Sequence, residues 1–312
     1  MNTETVTVTP LRREINEHAE IKPLPRPRTL SAQLQRGALA ALSKVAPALT
    51  IDVLYGQYFT PFRYRPRTRE REILNDAQRR RVHAAGREVV VYEWGAQPDY
   101  PWERRSTKSA LLVHGWSGAA AQMTPFVAPL LAAGYSVRAF DWPAHGRSRG
   151  SQVTVAEVAD VITALAREDA APVIVAHSLG GSAALISAAR GLDASAFVLF
   201  AAGARLDRYP LRFAEAVGAG PAHGVALKER LVRELGDDVI APGHTPLLDR
   251  ALDVPALFVH DVDDAEMPHE DSRWLASRFH HAHLVSTAGL GHRRILKDAP
   301  VLAEVIRFLE RT

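Results

Sequence analysis

Beyond residue 88, the sequence alternates between short, continuous apolar runs and stretches whose apolar side chains recur every three to four positions. A continuous apolar run is typical of a strand buried on both faces, whereas the wider spacing is typical of a helix. Alternating strands and helices form βαβ units, which predicts an α/β fold: a mostly parallel central sheet with helices on both faces. The predicted strands are residues 89–94, 110–113, 135–140, 172–176, 196–200, 256–259 and 283–285, and the clearest predicted helices are residues 154–166 and 179–189.

The N-terminal third differs from the rest of the chain in charge. Residues 1–108 contain 19 Lys and Arg and 12 Asp and Glu, a net charge of +7, whereas residues 109–312 contain 19 and 23, a net charge of −4. We therefore divide the chain into a basic N-terminal extension over residues 1–87 and a globular domain over residues 88–312. The arginines of the extension alternate with Pro, Tyr and Glu instead of sharing one helix face, so no nucleic-acid partner is predicted.

The extension is predicted to be partly loose and partly helical. Its first 30 residues are polar and contain four prolines, so they bury too little apolar surface to offset the entropy lost on ordering. Apolar residues at three- to four-residue steps predict an amphipathic helix within residues 34–54, which Pro47 should end or kink. This helix either packs on the globular domain, which we favour, or lies on a membrane surface. Residues 60–67 resemble an extended connector.

Several classes of protein are excluded by simple features of the sequence. No segment has the roughly 20 apolar residues that a transmembrane helix needs, and no secretory signal precedes the first apolar run. We therefore predict a cytoplasmic protein without a transmembrane segment, with peripheral membrane contact as the less favoured alternative. The chain contains no cysteine, which excludes disulfides, thiolate metal sites and a catalytic thiol.

A serine at the junction of a predicted strand and a predicted helix is the strongest functional signal. This serine, Ser178, is the centre of the sequence AHSLG at residues 176–180. Small residues two positions before and after a serine permit the sharp turn, called the nucleophile elbow, that exposes its hydroxyl. Ala176 stands where the strict pattern has glycine, but alanine is nearly as small. The alternative is a serine that only caps the helix.

The turn after the second predicted strand is expected to stabilise the negative charge of the reaction. After the second predicted strand, His114 and Gly115 form a turn that brings the N–H of Trp116 towards the serine, so we predict an oxyanion hole from the N–H groups of Trp116 and Leu179. We predict that His114 holds this loop and does not exchange protons.

A serine hydroxyl also needs a base, and that base needs an acid to orient it. In this type of fold the expected chain order is serine, acid, histidine. The sequence HDVDDAEMP at residues 260–268 supplies the acid, and His292 follows the last predicted strand, with His269 as the weaker alternative base.

These segments together resemble the α/β-hydrolase superfamily and, within it, the monoacylglycerol lipase-like and serine aminopeptidase-like esterases. The resemblance covers about residues 88–312 and implies the α/β-hydrolase fold for them, whereas it says little about the helical extension over residues 1–87. It also implies a small helical cap inserted at about residues 204–253, where the alternation of strands and helices is interrupted. The matching segments are HGW at 114–116, DWPAHGRS at 141–148, HSLGG at 177–181, HDVDDAEMP at 260–268 and GH at 291–292.

The resemblance assigns roles to individual residues. The family's acid segment reads His-Gly-x-x-Asp-x-x-Val-Pro, which places the acid on Asp264, with Asp263 and then Asp261 as less favoured alternatives. The base falls on His292, and His145 is implied to be structural. His177 and Met267 are expected to contact substrate. Six cap residues either line an acyl pocket or pack the core of the cap: Arg205, Arg208, Tyr209, Leu211, Phe213 and Leu227.

The implied function is that of a serine hydrolase. The triad Ser178, His292 and Asp264 would cleave a carboxylic ester through an acyl-enzyme, with a small-molecule ester or other acyl compound as substrate and no metal or organic cofactor. An aminopeptidase, a thioesterase or an acyltransferase with the same triad is the alternative, followed by a non-catalytic binding protein of this fold. No metal site is predicted from the cluster of His280, His281 and His283, because adjacent side chains on a strand point to opposite faces. The sequence leaves the oligomeric state open.

Overall fold

The computed structural model describes residues 7–8, 30–95 and 108–312 of the 312-residue chain. The strands are β1 (Thr7–Val8), β2 (Gln78–Ala84), β3 (Arg87–Trp94), β4 (Ser109–Val113), β5 (Ser136–Asp141), β6 (Val173–His177), β7 (Ala196–Phe200), β8 (Ala256–Asp261) and β9 (Ala282–Thr287). The α-helices are α1 (Leu30–Val45), α2 (Pro47–Tyr58), α3 (Thr68–Asn75), α4 (Val127–Ala132), α5 (Val155–Ala166), α6 (Leu179–Ala189), α7 (Tyr209–Val217), α8 (Pro221–Leu235), α9 (Asp237–Ile240), α10 (His269–Arg278), α11 (Gly291–Arg294) and α12 (Ala299–Leu309). Four short 3-10 helices cover Ala120–Phe126, Leu206–Arg208, Pro246–Ala251 and Ile295–Lys297.

The described strands form one sheet in the order β1-β9-β8-β7-β6-β4-β5-β3-β2. Neighbours from β5 to β9 in this order are parallel, whereas β1, β2 and β3 pair in antiparallel fashion. The predicted mostly parallel sheet is confirmed, and a strand lies at each of the seven predicted positions. Because β4 lies between β5 and β6, the chain reverses direction across the sheet here, and the loops after β4 and β6 leave it side by side. Such a switch point is where open α/β sheets place their ligands.

The central strands are buried on both faces, as their continuous apolar runs predicted. In β4, Leu111 and Val113 belong to one apolar cluster, while Ala110 and Leu112 belong to another on the opposite face. Side chains from α5, α6 and α10 join the first cluster, and side chains from α4 and α12 join the second. Helices therefore cover both faces of the sheet, as predicted.

A third apolar cluster joins the N-terminal helices to the cap. Leu39 of α1, Leu54 of α2 and Phe59 after α2 are buried together with residues of α7 and α8, among them Leu227 and Leu231. The predicted amphipathic helix is thus two helices. They meet at Pro47, which begins α2 because the first turn of a helix needs no N–H from that position. These helices pack on the protein, and the surface that they cover is the cap.

The boundary between the extension and the globular domain falls within a hairpin. Strand β2 pairs along its whole length with β3, from Gln78 opposite Glu93 to Ala84 opposite Arg87. The proposed division at residue 88 stays a prediction, and the sheet itself begins before it. The predicted loose segment lies outside the described residues except for Thr7 and Val8, which pair with β9. Among the described helices, none is both long and apolar enough to cross a membrane.

Candidate active site

The serine predicted as nucleophile occupies a strained turn between β6 and α6. Ser178 has φ +57° and ψ −128°, a left-handed conformation that a residue with a side chain rarely adopts. Its N–H donates to the carbonyl of Phe200, 2.8 Å away, which ties the turn to the end of β7. An ideal Cβ built on Gly180 would lie 2.3 Å from the carbonyl oxygen of His114, so glycine is required two positions after the serine. These features are those of a nucleophile elbow.

The structure brings Ser178, His292 and Asp264 together in a chain of hydrogen bonds. The distance from Ser178 Oγ to His292 Nε2 is 2.9 Å, and the distance from His292 Nδ1 to Asp264 Oδ2 is 2.7 Å. A carboxylate only accepts hydrogen bonds, so Nδ1 carries the proton and Nε2 is left to accept the serine hydroxyl. All three residues are less than 10% exposed. This arrangement allows the imidazole to remove the serine proton.

Asp264 is held as a carboxylate by several donors. The amides of Glu266 and Met267 donate to its Oδ1 at 2.7 and 3.0 Å, while its Oδ2 lies 3.4 Å from His260 Nε2. Burial alone would raise the pKa of Asp264, but the hydrogen bonds from His260, His292 and Met267 hold it far below its usual range. A permanent negative charge therefore faces His292.

The other two aspartates of this segment bind the loop that carries His292 and do not contact its ring. Asp261 accepts hydrogen bonds from the Thr287 hydroxyl at 2.7 Å and the Leu290 amide at 2.9 Å. Asp263 accepts one from the Gly289 amide at 3.0 Å. Both carboxylates fix the loop that leads into α11, which begins at Gly291, so they support the histidine indirectly.

The alternative base lies elsewhere. His269 Nε2 is 2.9 Å from Ser286 Oγ, and burial lowers the pKa of His269 to about 4. The cluster of three histidines does not converge either, because His280 pairs with Asp253 and His283 lies against Phe308. In residues 30–95 and 108–312, no group of three or more His, Cys, Asp or Glu is arranged to hold a metal ion.

The loop after β4 lies directly beside Ser178. An ideal Cβ on Gly115 would be 3.0 Å from the Cβ of Ser178, so a side chain at this position would crowd the turn that carries the serine. Trp116 follows on the loop, and Leu179 follows Ser178. Among the described turns and caps, neither amide is used in a backbone hydrogen bond. The two predicted oxyanion donors thus border the serine from two sides, and their role stays a prediction.

Two further histidines hold loops at this edge of the sheet. His114 Nε2 accepts the amide proton of Trp142 at 3.1 Å, and its Nδ1–H donates to the Gly115 carbonyl at 2.7 Å. His145 Nε2 accepts the amide proton of Ser117 at 3.0 Å. Burial lowers the pKa of both rings, so both are neutral, as their accepting nitrogens require. Both rings therefore hold loops, as predicted, and that neither exchanges protons in a reaction stays a prediction.

The two predicted substrate contacts lie next to the triad. His177 Nε2–H donates to the carbonyl of His292 at 2.9 Å, and its buried Nδ1 has no hydrogen-bond partner among the described residues. Met267 is 3% exposed, and its sulfur accepts a hydrogen bond from the hydroxyl of Tyr209 in the cap. Both residues are close to the hydrogen-bonded chain, and their contact with a substrate stays a prediction.

The cap contributes a residue that the sequence did not single out. Arg212 of α7 is 7% exposed and donates to the carbonyls of Glu266 and Ala265 at 3.0 and 3.5 Å. Its guanidinium thereby fastens the cap to the segment that follows Asp264. No periodicity marks it, because a buried arginine on a cap helix has the same sequence signature as an exposed one. Among the six predicted cap residues, Leu227 packs in the third apolar cluster, so it belongs to the core of the cap.

Comparisons with known proteins agree with this fold. The sequence model described as the alpha/beta hydrolase family matches residues 110–307. An esterase from Pyrococcus furiosus is similar in structure, with 18% identity, a TM-score of 0.59, and 81% of this chain and 98% of that chain covered. Est1E from Butyrivibrio proteoclasticus, with ferulic acid bound, has 19% identity and a TM-score of 0.57, with 74% of this chain and 98% of that chain covered. A bacterial membrane phospholipase A, described as a virulence factor, has 16% identity and a TM-score of 0.57, with 91% of this chain and 99% of that chain covered. A search of curated proteins gave no match. With the family's sequence model matching well over half of its length, this chain belongs to the alpha/beta hydrolase family.

Proposed function

We propose that this protein is a serine hydrolase that cleaves a carboxylic ester. The observation that carries the proposal is the continuous hydrogen-bonded chain from Ser178 through His292 to Asp264, at 2.9 and 2.7 Å. A serine alone is a weak nucleophile, and this chain supplies both the base and the charge that stabilises the protonated base. Further support comes from the strained turn at Ser178 and from the amides of Trp116 and Leu179, which no backbone carbonyl of the described turns and caps accepts.

In the proposed reaction, Ser178 Oγ attacks the acyl carbon while its proton moves to His292 Nε2. The carbonyl oxygen becomes an oxyanion that accepts hydrogen bonds from the amides of Trp116 and Leu179. Collapse of this intermediate breaks the bond to the leaving alcohol, which takes the proton from His292 and leaves an acyl-enzyme. Water then loses a proton to His292 and attacks the acyl carbon. Collapse of this second intermediate breaks the bond between the acyl carbon and Ser178 Oγ, which takes the proton back from His292, and the acid is released. Asp264 keeps the imidazole in the required tautomer throughout.

Ester cleavage is the preferred reaction on two grounds. Esters need less activation than amides. They are therefore the default substrate for a triad when no described residue has been assigned to the recognition of an amide or a thioester. Similar structures also carry the names esterase and phospholipase, although at 16–19% identity they support the fold more than the substrate. An aminopeptidase, thioesterase or acyltransferase would use the same triad. We infer a small-molecule substrate and a cytoplasmic location.

The test of the hydrolase proposal is the rate of p-nitrophenyl acetate hydrolysis by the wild type and by Ser178→Ala. We expect the variant to lose at least about 1,000-fold in kcat, because the covalent route is removed. Ser187→Ala is the matched control, since Ser187 is a buried serine of α6, the helix that follows Ser178, and among the described residues its hydroxyl bonds to the backbone carbonyls of Ala159 and Ala183. Labelling of Ser178 by a fluorophosphonate gives an independent readout. Equal rates for the wild type and Ser178→Ala would refute the proposal.

Substrate class is tested by competing chemistries on one preparation. p-Nitrophenyl esters of increasing acyl length, acyl-CoA thioesters and aminoacyl p-nitroanilides would be compared by kcat/KM. We expect the esters to give the highest values. A preference for aminoacyl anilides would replace the esterase proposal by an aminopeptidase, and a preference for acyl-CoA would replace it by a thioesterase.

A further inference from the structure

A short segment of the N-terminal extension lies across two loops of the candidate active site. We call residues 56–63, from the end of α2 onward, the strap. The amide of Phe62 donates to Ser117 Oγ at 3.0 Å, and Arg63 Nη1 donates to the Gly146 carbonyl at 2.6 Å. Arg63 Nη2 also reaches the Gly150 carbonyl at 3.5 Å. The strap thus contacts both the loop after β4 and the loop after β5.

The strap is anchored on its other side as well. The carbonyl of Phe59 accepts the amide proton of Val153 at 3.1 Å, and Gln152 Nε2 donates to the Gly56 carbonyl at 2.7 Å. The ring of Phe59 is buried in the third apolar cluster. With these attachments before it, the stretch that carries Phe62 and Arg63 is fixed in place. It lies outside the part of the chain that the family's sequence model matches, residues 110–307.

The two loops that the strap contacts also contact each other, next to the predicted oxyanion hole. Ser117 directly follows Trp116 and has φ +53°, a left-handed conformation for a residue with a side chain. Its amide donates to His145 Nε2, on the loop whose next residue is Gly146. Phe62 of the strap therefore binds Ser117, and Arg63 binds Gly146, the residue that follows His145.

The geometry points to a positioning role for the strap: the Phe62 amide holds the loop after β4 directly, and Arg63 holds it through the loop after β5 and His145, so that the Trp116 amide is aimed at the oxyanion. This inference rests on the proposed function. An oxyanion donor must lie within a few tenths of an ångström of its place, and a displacement of about 1 Å costs on the order of 100-fold in rate. A loop held only by its own strained residue at Ser117 would not keep that precision, whereas the strap and His145 hold it from two sides.

The experiment compares Arg63→Ala with the matched control Arg65→Ala. Arg65 lies two residues further along the chain and is exposed, and it makes no hydrogen bond or ion pair with a described residue, so both variants remove one surface charge. Ser117→Ala removes the acceptor of the Phe62 amide and tests the second contact. The readouts are kcat and KM on p-nitrophenyl acetate, the inhibition constant of a trifluoromethyl ketone whose adduct places an oxyanion in the hole, and Tm.

For Arg63→Ala and Ser117→Ala we expect kcat to fall about 10-fold, less than the loss of a whole donor, while KM changes less than about twofold. The inhibition constant of the ketone should rise by a similar factor, because the adduct and the transition state use the same amides. Arg65→Ala should match the wild type in all readouts. A merely structural strap would lower Tm and leave kcat and ketone binding unchanged.

The outcomes separate this inference from the proposed function. If the wild type hydrolyses the ester and Ser178→Ala does not, but Arg63→Ala and Ser117→Ala keep wild-type kcat and ketone affinity, the positioning role is overturned and the hydrolase proposal stands. An equal loss in Arg65→Ala would also overturn it, because the effect would then come from charge and not from the contacts. An inactive wild type refutes the proposed function itself.

Discussion

Acid should destabilise this protein through a histidine that is folded in its neutral form. His145 is fully buried, donates from Nδ1 to the Pro143 carbonyl and accepts the Ser117 amide proton at Nε2. Burial lowers the pKa of His145 to about 4 from an ordinary value of 6.5. The hydrogen bond to Pro143 opposes this shift, and the charge of Arg63 adds to it. A proton on Nε2 would also break the contact with Ser117.

The sign and size of the effect follow from this pKa. Above pH 6.5 the ring is neutral in both the folded and the unfolded chain, so its contribution does not change with pH. Between pH 6.5 and about 4, the unfolded chain binds a proton that the folded chain excludes, so stability falls as the pH falls. At about 1.4 kcal/mol per pKa unit, the difference between 6.5 and about 4 gives a full loss of about 3.5 kcal/mol from His145 alone, of which about 3 kcal/mol is reached at pH 4. Below about pH 4 this contribution levels off.

Urea unfolding at several pH values between 7 and 4 measures the loss. His145→Gln keeps a side-chain acceptor but no group that titrates in this range. At pH 7 its free energy of unfolding should be lower than that of the wild type. Between pH 7 and pH 4 it should then decrease by about 3 kcal/mol less than the wild-type value does. His281→Gln is the control, because His281 is exposed and should follow the wild type. If His145→Gln and the wild type lose stability in parallel, the buried neutral ring is not the cause and the reasoning is refuted.

Other positions give three more expectations. Gly180→Ala should lose most activity on p-nitrophenyl acetate and about 1–3 kcal/mol of unfolding free energy, because the new Cβ would lie 2.3 Å from the His114 carbonyl oxygen. A variant with wild-type kcat and Tm would contradict this close approach. Asp264→Asn should lower kcat about 10,000-fold, whereas Asp263→Asn should keep most activity, and the reverse order would move the acid to Asp263. Leu54→Ala should cost about 2–5 kcal/mol in urea unfolding, since the side chain is fully buried between α2 and the cap; a loss below about 1 kcal/mol would show that this packing is dispensable.

Periodicity predicts the seven strands from β3 to β9 and misses the two edge strands of the described sheet, β1 and β2. Strands such as β4 are buried on both faces, so every position is apolar and the run is conspicuous. Strand β2 has the sequence QRRRVHA and only one fully buried residue, Ala84. An edge strand needs no apolar neighbour on its free side, and charged residues there discourage pairing with other chains. Its arginines were therefore assigned to a basic extension, although Arg80 pairs with Glu93 of β3 at 2.9 Å.

The candidate site divides in the same way between local and long-range determinants. Ser178 and Gly180 could be predicted because the sharp turn is a local structure with local steric demands. The choice among Asp261, Asp263 and Asp264 could not be made from spacing, since all three follow β8 within a few residues. It is decided by which carboxylate the turn directs at His292, and that depends on the amides of the segment and on the distant loop. The family pattern predicts Asp264 as the acid, and Asp264 is also the carboxylate that lies 2.7 Å from His292 Nδ1.

The N-terminal extension shows where sequence reasoning runs out most clearly. Apolar spacing indicated that a helix face is buried but carried no information on its partner, which is the cap. This partner has a mechanical consequence, because Phe59 is buried in the cluster with the cap while Phe62 and Arg63, just after it, hold the loops beside the nucleophile. Any shift of the cap against α2 is therefore transmitted to the strap over a few residues of chain. Substitutions in the third cluster that leave the protein folded should consequently change kcat as well as stability, which ordinary core packing far from a site would not do.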